Sequence, residues 1–482
     1  MKLRELLAGV PICAGSADLE MEISGVSYDS RTTRPGDLFV AMTGFATDGH
    51  QYIAKALANG AAAVLCQRRP AEACAYVQTE DSRRALAVIG GNWFGHPAEE
   101  MTMIAVTGTC GKTTTTYLLK AILEQARGAK VGLIGTNQNM IGSDVIPTER
   151  TTPESFEVQK LFREMADAGC THVVMETSSH ALYLDRVYGV RYDVGIFTNL
   201  TQDHLDFHKT MENYCDAKAI LFRNCVTGVV NADDPWTPRL LKDADCKVMT
   251  YAEQADADLR AENIVLSAGG IAFDAVSGAE RVPIRVNIPG GFMVYNTLDV
   301  LGAALALGIS LEESAAVLEK VPHVKGRVEI VPTPGKDYTI LIDYAHTPDS
   351  MVNVLQTVKE FAKGRTVAVF GCGGDRDRTK RPLMGKAAAD WSDFAVVTTD
   401  NPRTEEPEAI IADILPGFDG SATPYRVVVD RIEAIHWAMD HAEKDDVIVL
   451  CGKGHETYQE VNHVKHHMDE REIVADYLSS GR

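Results

Sequence analysis

The sequence predicts an α/β protein with three domains: a small N-terminal α/β domain, a central doubly wound, mostly parallel sheet with a small antiparallel subsheet, and a C-terminal Rossmann-like α/β domain. Three observations lead to this prediction. The chain has 482 residues, which is more than one hydrophobic core usually serves. Short apolar segments alternate with helical patterns, as expected of parallel strands joined by crossovers. Around residues 252–288 the pattern changes to short alternating runs, which are typical of antiparallel hairpins.

The predicted domains cover residues 1–100, 101–331 and 332–482. The first contains a helix at 51–60 that leads to a strand at 61–66. The second opens with an apolar strand, a glycine-containing turn and a long helix at 113–126, and the third resumes the strand-helix order. Strands are predicted in the second domain at 171–176, 194–199 and 227–233, and in the third at 339–345, 366–371, 394–400 and 446–452.

Composition excludes several classes of protein. A formal net charge of -20 argues against long nucleic acids as partners, because such binding draws on clustered Lys and Arg. The ten cysteines form no CxxC pair and most lie in apolar runs, so we expect reduced thiols without disulfides or a zinc site. The opening resembles a short signal peptide, but Glu5 interrupts its basic end. No window approaches the roughly 20 apolar residues that span a bilayer. We therefore expect a soluble, cytoplasmic monomer that binds neither nucleic acid nor membrane.

The sharpest motif is VTGTCGKTTTT at 106–116, which follows a strand and opens a helix. Gly108 and Gly111 allow the backbone to wrap around phosphate oxygens, and N–H groups at the helix start can bind those oxygens. Lys112 can neutralise their charge, and the Thr113 hydroxyl can coordinate magnesium. The spacing is shorter than the standard GxxxxGK[ST], yet a simple glycine turn has no need of Lys-Thr-Thr. The motif predicts a nucleotide-binding loop.

A second group of polar residues lies at the ends of central strands and in the segments that follow. In a P-loop fold, the end of a neighbouring strand supplies the acidic group that meets magnesium, and Glu176 is placed for that role. The run DHLDFH also fits a zinc ligand set or a solvated loop of charges. The group consists of Glu176, Asp203, His204, Asp206, His208 and Lys218.

Four further motifs follow apolar strands in the third domain, at 343–350, 371–382, 400–403 and 452–456. Because ligands bind at the carboxyl edge of open α/β sheets, we expect these motifs to gather there. Arg side chains can clamp a carboxylate while carboxylates receive an ammonium group, so the mixture suits a zwitterion. The residues concerned are Asp343, Arg376, Asp400, Asn401, Arg403 and Glu456.

Taken together, these segments resemble the Mur ligase family over nearly the whole chain, and most of all its members that add the third residue of the peptidoglycan stem peptide. The shared motifs stand in the family's order: GTxGKTT, ETSSHAL, NLTxDHLDFH, YxxAKxxLF, GRxE, DYAHTPD, GCGGDRD, DNPR and GKGHE. Two departures are Cys110 and Met293, which stand where the family usually has Asn.

The resemblance implies an acyl-phosphate mechanism that uses ATP and Mg²⁺. ATP would phosphorylate the D-glutamyl carboxylate of UDP-MurNAc-L-Ala-D-Glu, and the amine of meso-diaminopimelate would then displace phosphate. In the family the lysine of YxxAKxxLF is carbamylated, and Lys218 matches it. The implied catalytic residues are Lys112, Glu176, His204 and Lys218; the implied magnesium ligands are Thr113, Glu176, His204 and Lys218.

Binding roles follow from the same resemblance. The phosphate loop comprises Gly108, Thr109, Cys110, Gly111, Lys112, Thr113 and Thr114, and the adenine and ribose contacts are Asn296, Arg327 and Asp343. Ser30 matches a contact of the UDP end, and Thr151, Thr152, Ser178, Arg186 and Lys218 match contacts of the MurNAc-dipeptide part. The amino acid pocket comprises Arg376, Asp400, Asn401, Pro402, Arg403, Gly452 and Glu456.

Several alternatives stay open at this point. In the family, DNPR accompanies meso-diaminopimelate, whose distal carboxylate Arg403 would bind, whereas an unmatched buried Arg would penalise lysine. An L-lysine-adding enzyme, another ligase of the same superfamily and a catalytically silent nucleotide-binding protein are the remaining hypotheses. ATP turnover that depends on the amino acid would separate an enzyme from a scaffold.

Overall fold

Apolar segments pair mainly as parallel strands and form the cores of two compact units. A computed structural model of the chain describes residues 1–44, 47–148, 150–267, 269–321 and 324–480, without the side chain of Asp206. The first unit comprises residues 1–258 and 299–310, and the second comprises residues 259–298 and 311–482. No helix in the described part of the chain is long and apolar enough to cross a membrane.

The N-terminal part of the first unit contains a five-stranded sheet of order β1-β5-β4-β3-β2, in which only β1 runs antiparallel to its neighbour. Its strands are β1 (Ala14–Gly15), β2 (Gly25–Ser27), β3 (Asp37–Val40), β4 (Ala63–Cys66) and β5 (Tyr76–Gln78), and its helices are α1 (Leu3–Leu6), α2 (Ile53–Ala58) and α3 (Ser82–Phe94). Strands β3 and β4 are buried along their whole length, and all their residues except Asp37 are apolar.

The rest of the first unit is built on a larger sheet, whose strands there follow the order β13-β12-β11-β6-β10-β7-β8-β9. The strands from β13 to β7 in that order are parallel, and β8 and β9 add an antiparallel edge. The strands are β6 (Thr102–Thr107), β7 (Val131–Ile134), β8 (Asn139–Ile141), β9 (Asp144–Ile146), β10 (His172–Glu176), β11 (Tyr192–Phe197), β12 (Cys225–Asn231) and β13 (Lys247–Ala252). The helices are α4 (Lys112–Arg127), α5 (Ser155–Asp167), α6 (Ser179–Tyr183), α7 (Leu205–His208), α8 (Met211–Ala219) and α9 (Thr237–Leu240).

The second unit contains an antiparallel meander of β14 (Leu259–Ser267), β15 (Gly270–Ser277) and β16 (Glu280–Val286), as the alternating pattern predicts. Helices α10 (Phe292–Ala306) and α11 (Leu311–Leu318) follow. The residues of α10 from Asp299 onward belong to the first unit. The predicted α/β fold, with its parallel sheets and small antiparallel part, is confirmed.

The C-terminal sheet has the order β17-β18-β22-β19-β20-β21, and all its pairs except β17 with β18 are parallel. Apolar residues pack on both of its faces. Its strands are β17 (Glu329–Val331), β18 (Thr339–Asp343), β19 (Thr366–Phe370), β20 (Phe394–Val397), β21 (Tyr425–Val427) and β22 (Val447–Cys451); β23 (Tyr458–Val461) and β24 (Val464–His467) form a separate hairpin. The helices are α12 (Pro348–Phe361), α13 (Lys380–Trp391), α14 (Pro407–Ile414), α15 (Arg431–Asp440) and α16 (Glu470–Ser479).

Candidate active site

The loop between β6 and α4 is held in a tight turn by its glycines and by the next strand along the sheet. Gly108 has φ 151°, and a Cβ there would lie 1.8 Å from Thr198 Oγ1, so only glycine fits. Gly111, with φ 90°, caps α4. The backbone N–H of Cys110 donates to Asn199 Oδ1 at 3.0 Å, and its carbonyl accepts from the Thr198 hydroxyl at 2.6 Å. These backbone bonds fix the loop independently of the side chain at position 110.

Two lysine side chains converge on this loop. Lys112 Nζ donates to the carbonyl oxygens of Gly108 and Thr109 at 2.9 and 2.8 Å, and Lys218 Nζ donates to the same Gly108 oxygen at 2.8 Å. Lys218 is 1% exposed. Its burial, together with the charge of Lys112, holds the pKa of Lys218 well below its usual value. Thr114 is buried in the first turn of α4.

Glu176 ends β10, next to β6, and lies beside the start of α4 because the two strands are parallel and in register. Its Oε1 accepts from the Thr113 hydroxyl and the Thr136 backbone N–H, both at 2.9 Å, and its Oε2 accepts from the Thr136 hydroxyl at 2.9 Å. Glu176 is buried. A carboxylate joined to a hydroxyl at the head of a phosphate-binding loop is a donor set that fits magnesium, which prefers oxygen ligands.

The histidines of the second motif group lie together around α7. His204 is in the left-handed region with φ 53°, its Nε2 lies 3.4 Å from Asp203 Oδ2, and its ring centroid is 4.9 Å from that of His180. His208 is buried, and its Nε2 is 2.9 Å from Ser179 Oγ. Within the described residues, no group of three His, Cys, Asp or Glu side chains could hold a metal ion; the Asp206 side chain of the zinc hypothesis lies outside them.

The residues expected to hold the MurNAc-dipeptide gather beside Glu176. The Thr152 hydroxyl donates to the Glu176 carbonyl at 2.9 Å and accepts from the Ser178 N–H at 3.2 Å. Arg186 Nη1 donates to the Thr152 carbonyl at 3.1 Å, and its Nε lies 3.4 Å from the buried Glu154 carboxylate. Thr151 Oγ1 is 3.0 Å from Thr136 Oγ1. Glu154 and Thr136 had not been singled out from the sequence: Glu154 lies two residues after Thr152, whereas Thr136 follows β7, outside the predicted motifs.

The four C-terminal motifs follow β18, β19, β20 and β22, which are adjacent in one parallel sheet, so they do gather at its carboxyl edge. Asn401 Nδ2 donates to Glu456 Oε2 at 3.0 Å. The fully buried Lys453 donates to Asn401 Oδ1 at 2.7 Å and to Glu456 Oε2 at 2.8 Å. Lys453 had not been singled out from the sequence; its charge balances the Glu456 carboxylate.

Asp400 presents a buried oxygen that no described group satisfies. Its Oδ1 accepts from the Asn401 N–H at 2.7 Å, whereas Oδ2 is buried without a hydrogen-bond partner. A Cβ on Gly452, where φ is 112°, would lie 2.6 Å from that oxygen. Such an acceptor is costly unless a donor reaches it, so it fits a ligand ammonium group. Arg376 is exposed, and Pro402 is buried between Asn401 and Arg403.

The remaining predicted residues are described in their own units. Ser30 is buried in the N-terminal part, where its carbonyl accepts from Asn59 Nδ2 at 2.7 Å. Asn296 Nδ2 donates to Met293 Sδ at 3.8 Å. In the second unit, Asp343 accepts backbone N–H bonds at both oxygens, and burial raises its pKa. The Arg327 guanidinium carbon lies 5.4 Å from the centroid of the Tyr344 ring.

Comparison with known proteins identifies the family. Residues 22–92 match the Mur ligase family catalytic domain, residues 106–304 the Mur ligase middle domain, and residues 326–454 the Mur ligase glutamate ligase domain. A UDP-N-acetylmuramoyl-L-alanyl-D-glutamate--2,6-diaminopimelate ligase of Clostridium botulinum is 49% identical over 463 residues, 95% of each chain. The chain belongs to the Mur ligase family. This Mur ligase is therefore an ATP-dependent ligase.

Further relatives agree with this assignment. The Clostridium acetobutylicum protein named UDP-N-acetylmuramoyl-L-alanyl-D-glutamate--2,6-diaminopimelate ligase 1 is 48% identical to this Mur ligase over 481 residues, 99% of each chain. A solved structure of a ligase with the same name is 32% identical, covers 100% of this chain and 99% of its own, and superposes with a TM-score of 0.73. A MurF structure from Acinetobacter baumannii, 21% identical over 99% of this chain and 98% of its own with a TM-score of 0.64, shares the fold. The predicted domain boundaries near 100 and 331 stay a prediction.

Proposed function

We propose that this Mur ligase joins meso-diaminopimelate to UDP-MurNAc-L-Ala-D-Glu at the expense of ATP, in peptidoglycan synthesis. The two Clostridium relatives described above are named for this reaction, and this chain matches nearly the whole length of each. The observation that supports the amino acid assignment is that the loop after β20 carries both a buried Asp400 oxygen without a hydrogen-bond partner and the Arg403 guanidinium. We also propose that the reaction takes place in the cytoplasm, where ATP is available.

The proposed reaction has two steps. A D-glutamyl carboxylate oxygen attacks the γ-phosphorus of ATP, so that an acyl phosphate forms and ADP leaves. The amine of the amino acid then attacks the carbonyl carbon, loses a proton, and expels inorganic phosphate as the C–O bond breaks. Phosphoryl transfer depends on positioning and charge neutralisation. Lys112 and the N–H groups from Gly108 to Thr114 are proposed to supply both, with Asn296, Arg327 and Asp343 contacting adenine and ribose.

Magnesium is proposed to bind through Thr113, Glu176, His204 and a carbamylated Lys218. When bound, the cation would neutralise negative charge on the phosphates. The buried contact of Thr113 with Glu176 supports the first two ligands. Lys218 supports a carbamate because burial lowers its pKa and so favours the neutral amine, which forms an N–C bond to carbon dioxide with loss of a proton. The product is an anion beside the other proposed ligands.

The UDP-precursor is proposed to bind along the first unit. Ser30 would contact its uridine end, and Thr151, Thr152, Ser178 and Arg186 would contact the MurNAc-dipeptide. The hydrogen bonds that join Thr152 to Glu176, Ser178 and Arg186 support this assignment, because they hold the side chains beside the proposed metal ligands.

The amino acid is proposed to bind at the carboxyl edge of the C-terminal sheet. Arg403 would bind the distal carboxylate of meso-diaminopimelate, and Asp400 and Glu456 would receive ammonium groups. L-Lysine lacks that carboxylate and would leave Arg403 without its acceptor, which is the physical basis for excluding it. Arg376, Asn401, Pro402 and Gly452 complete the proposed pocket.

The test is phosphate release from ATP in the presence of Mg²⁺ and UDP-MurNAc-L-Ala-D-Glu. Reactions with meso-diaminopimelate, with L-lysine and without amino acid run in parallel. We expect release with meso-diaminopimelate alone. Phosphate release with L-lysine would be compatible with the family but would refute meso-diaminopimelate as the specific substrate. No phosphate release with either amino acid would refute the proposed reaction.

A further inference from the structure

The hairpin β23–β24, to which the proposed function gives no role, is bonded to the loop that carries Arg403. The Arg403 N–H donates to the Glu460 carbonyl at 3.0 Å, and the Asn462 N–H donates to the Arg403 carbonyl at 2.8 Å. The Glu460 N–H also donates to Asn401 Oδ1 at 2.8 Å, and Gln459 Nε2 donates to the Asp400 carbonyl at 2.8 Å. The hairpin therefore holds residues 400–403 along their length.

The Glu460 side chain contacts the Arg403 guanidinium directly. Arg403 Nε donates to Glu460 Oε2 at 3.1 Å, and Arg403 Nη1 donates to the Gly374 carbonyl at 2.8 Å. The two side chains are 17% and 20% exposed. Because the two acceptors bind different nitrogens of a planar group, they fix both its position and its plane.

Space for the guanidinium depends on a glycine. A Cβ on Gly373 would lie 2.9 Å from Arg403 Nη1, so a larger residue there would push the group aside. Arg403 itself has φ 52°, an uncommon backbone conformation for a non-glycine residue. Two of the five N–H donors are used by the bonds described, and three are left for a ligand, which is enough for a two-bond clamp on a carboxylate.

We propose that Glu460 is a positioning residue that determines amino acid specificity, by holding the Arg403 guanidinium in the orientation that binds the second carboxylate of the incoming amino acid. This inference rests on the proposed function. A free Arg side chain loses rotamer entropy when a ligand fixes it, whereas a guanidinium already held by Glu460 loses less.

The experiment measures KM and kcat of the full-length enzyme for the Glu460→Ala and Glu460→Gln variants, with Glu472→Ala as a matched control. Glu472 is an exposed acid that pairs with His467 at the open end of the hairpin, whereas residues 459, 460 and 462, near the turn, bond to residues 400–403. We expect Glu460→Ala to raise the KM for meso-diaminopimelate about tenfold or more, with kcat and the KM values for both nucleotide substrates within about threefold. Glu460→Gln should stay within about threefold of the wild type, because its amide oxygen still accepts from Arg403 Nε.

The inference alone would be overturned by an unchanged KM for meso-diaminopimelate in Glu460→Ala, or by equal loss in Glu460→Ala and Glu460→Gln. A parallel rise of all KM values with a lowered thermal midpoint would assign Glu460 a structural role and would also overturn it. A wild-type enzyme that does not turn over with meso-diaminopimelate is a different result, because it refutes the proposed function and the inference with it.

Discussion

Lys218 has a long, basic side chain in surroundings that disfavour a cation. Its Nζ lies 4.5 Å from the centroid of the Tyr214 ring and donates to the Gly108 carbonyl oxygen at 2.8 Å. Burial of an unpaired ammonium group is costly, so the group is expected to be neutral or chemically converted. Carbamylation removes the cation and supplies the anion that a metal site requires.

Replacing Lys218 tests this account at the scale of one residue. We expect Lys218→Ala to lower phosphate release by roughly 100-fold or more, since several kcal/mol of charge stabilisation is lost with a metal ligand. Formate or acetate should partly restore activity by taking the place of the carbamate. Lys218→Arg is the control, because it keeps a cation and fills the space that a carboxylate would enter, so it should not be rescued. Full activity of Lys218→Ala would rule out a metal-binding role.

Among the secondary-structure elements, α13 and α14 are joined to the DNPR loop by a buried cation. Arg381, whose side chain is fully buried, donates to both Glu405 oxygens at 2.7 and 2.9 Å and to Asp413 Oδ2 at 2.8 Å. Hydrogen bonds from Arg381 lower the pKa of Glu405 from 4.5 to about 2. The loop after Arg403 is therefore fixed by an ion-pair network as well as by the hairpin.

This network predicts a pH dependence of stability. The folded-state pKa of Glu405 lies below its ordinary value, so its contribution is fully present above pH 4.5 and is lost as the pH falls from 4.5 to about 2. Urea unfolding should show that Glu405→Gln has a lower free energy of unfolding than the wild type at pH 7, and that the difference shrinks across that window. The control Glu472→Gln should follow the wild type. A difference that stays constant with pH would contradict the assigned pKa.

The elements that could be predicted from sequence are those with a strong apolar pattern. Strands such as β6, β19 and β22 are buried runs followed by conspicuous polar motifs, and both strands and motifs were found. The hairpin β23–β24 was missed because its residues are half-buried or exposed and carry no alternating apolar pattern. Glu460 was missed with it, since its role depends on a contact with Arg403 across 57 residues of sequence.

The contacts of the site residues were harder to predict than the identity of those residues. Glu176, Thr113 and Lys218 could be named from their motifs, but the bond between Thr113 and Glu176 joins residues 63 positions apart. Lys453 lies inside GKGHE but was not predicted as a site residue. Its contact with Asn401, 52 positions away, becomes evident only when β20 and β22 are placed in one sheet, and Glu456 is its second partner. The sequence therefore did not allow us to predict contacts between residues that follow strands distant in sequence.

At the scale of the whole molecule, a net charge of -20 has to be reconciled with anionic substrates. Local groups supply positive charge: Lys112 Nζ lies at the phosphate-binding loop, where it donates to the Gly108 carbonyl, and Arg403 is held at the edge of the C-terminal sheet. Matches to the Mur ligase family occur in the N-terminal, middle and C-terminal parts of the chain, so each of these local sites lies in a part with a family counterpart.

The most direct measurement of the central claim is mass spectrometry of the nucleotide product formed in competition. The enzyme is given ATP, Mg²⁺, UDP-MurNAc-L-Ala-D-Glu, and equal amounts of meso-diaminopimelate and L-lysine. A site that binds the distal carboxylate is expected to favour meso-diaminopimelate over L-lysine by about 100-fold or more. Nearly all of the nucleotide product should therefore contain diaminopimelate. A product that carries lysine, or no product while ATP is consumed, would contradict the account.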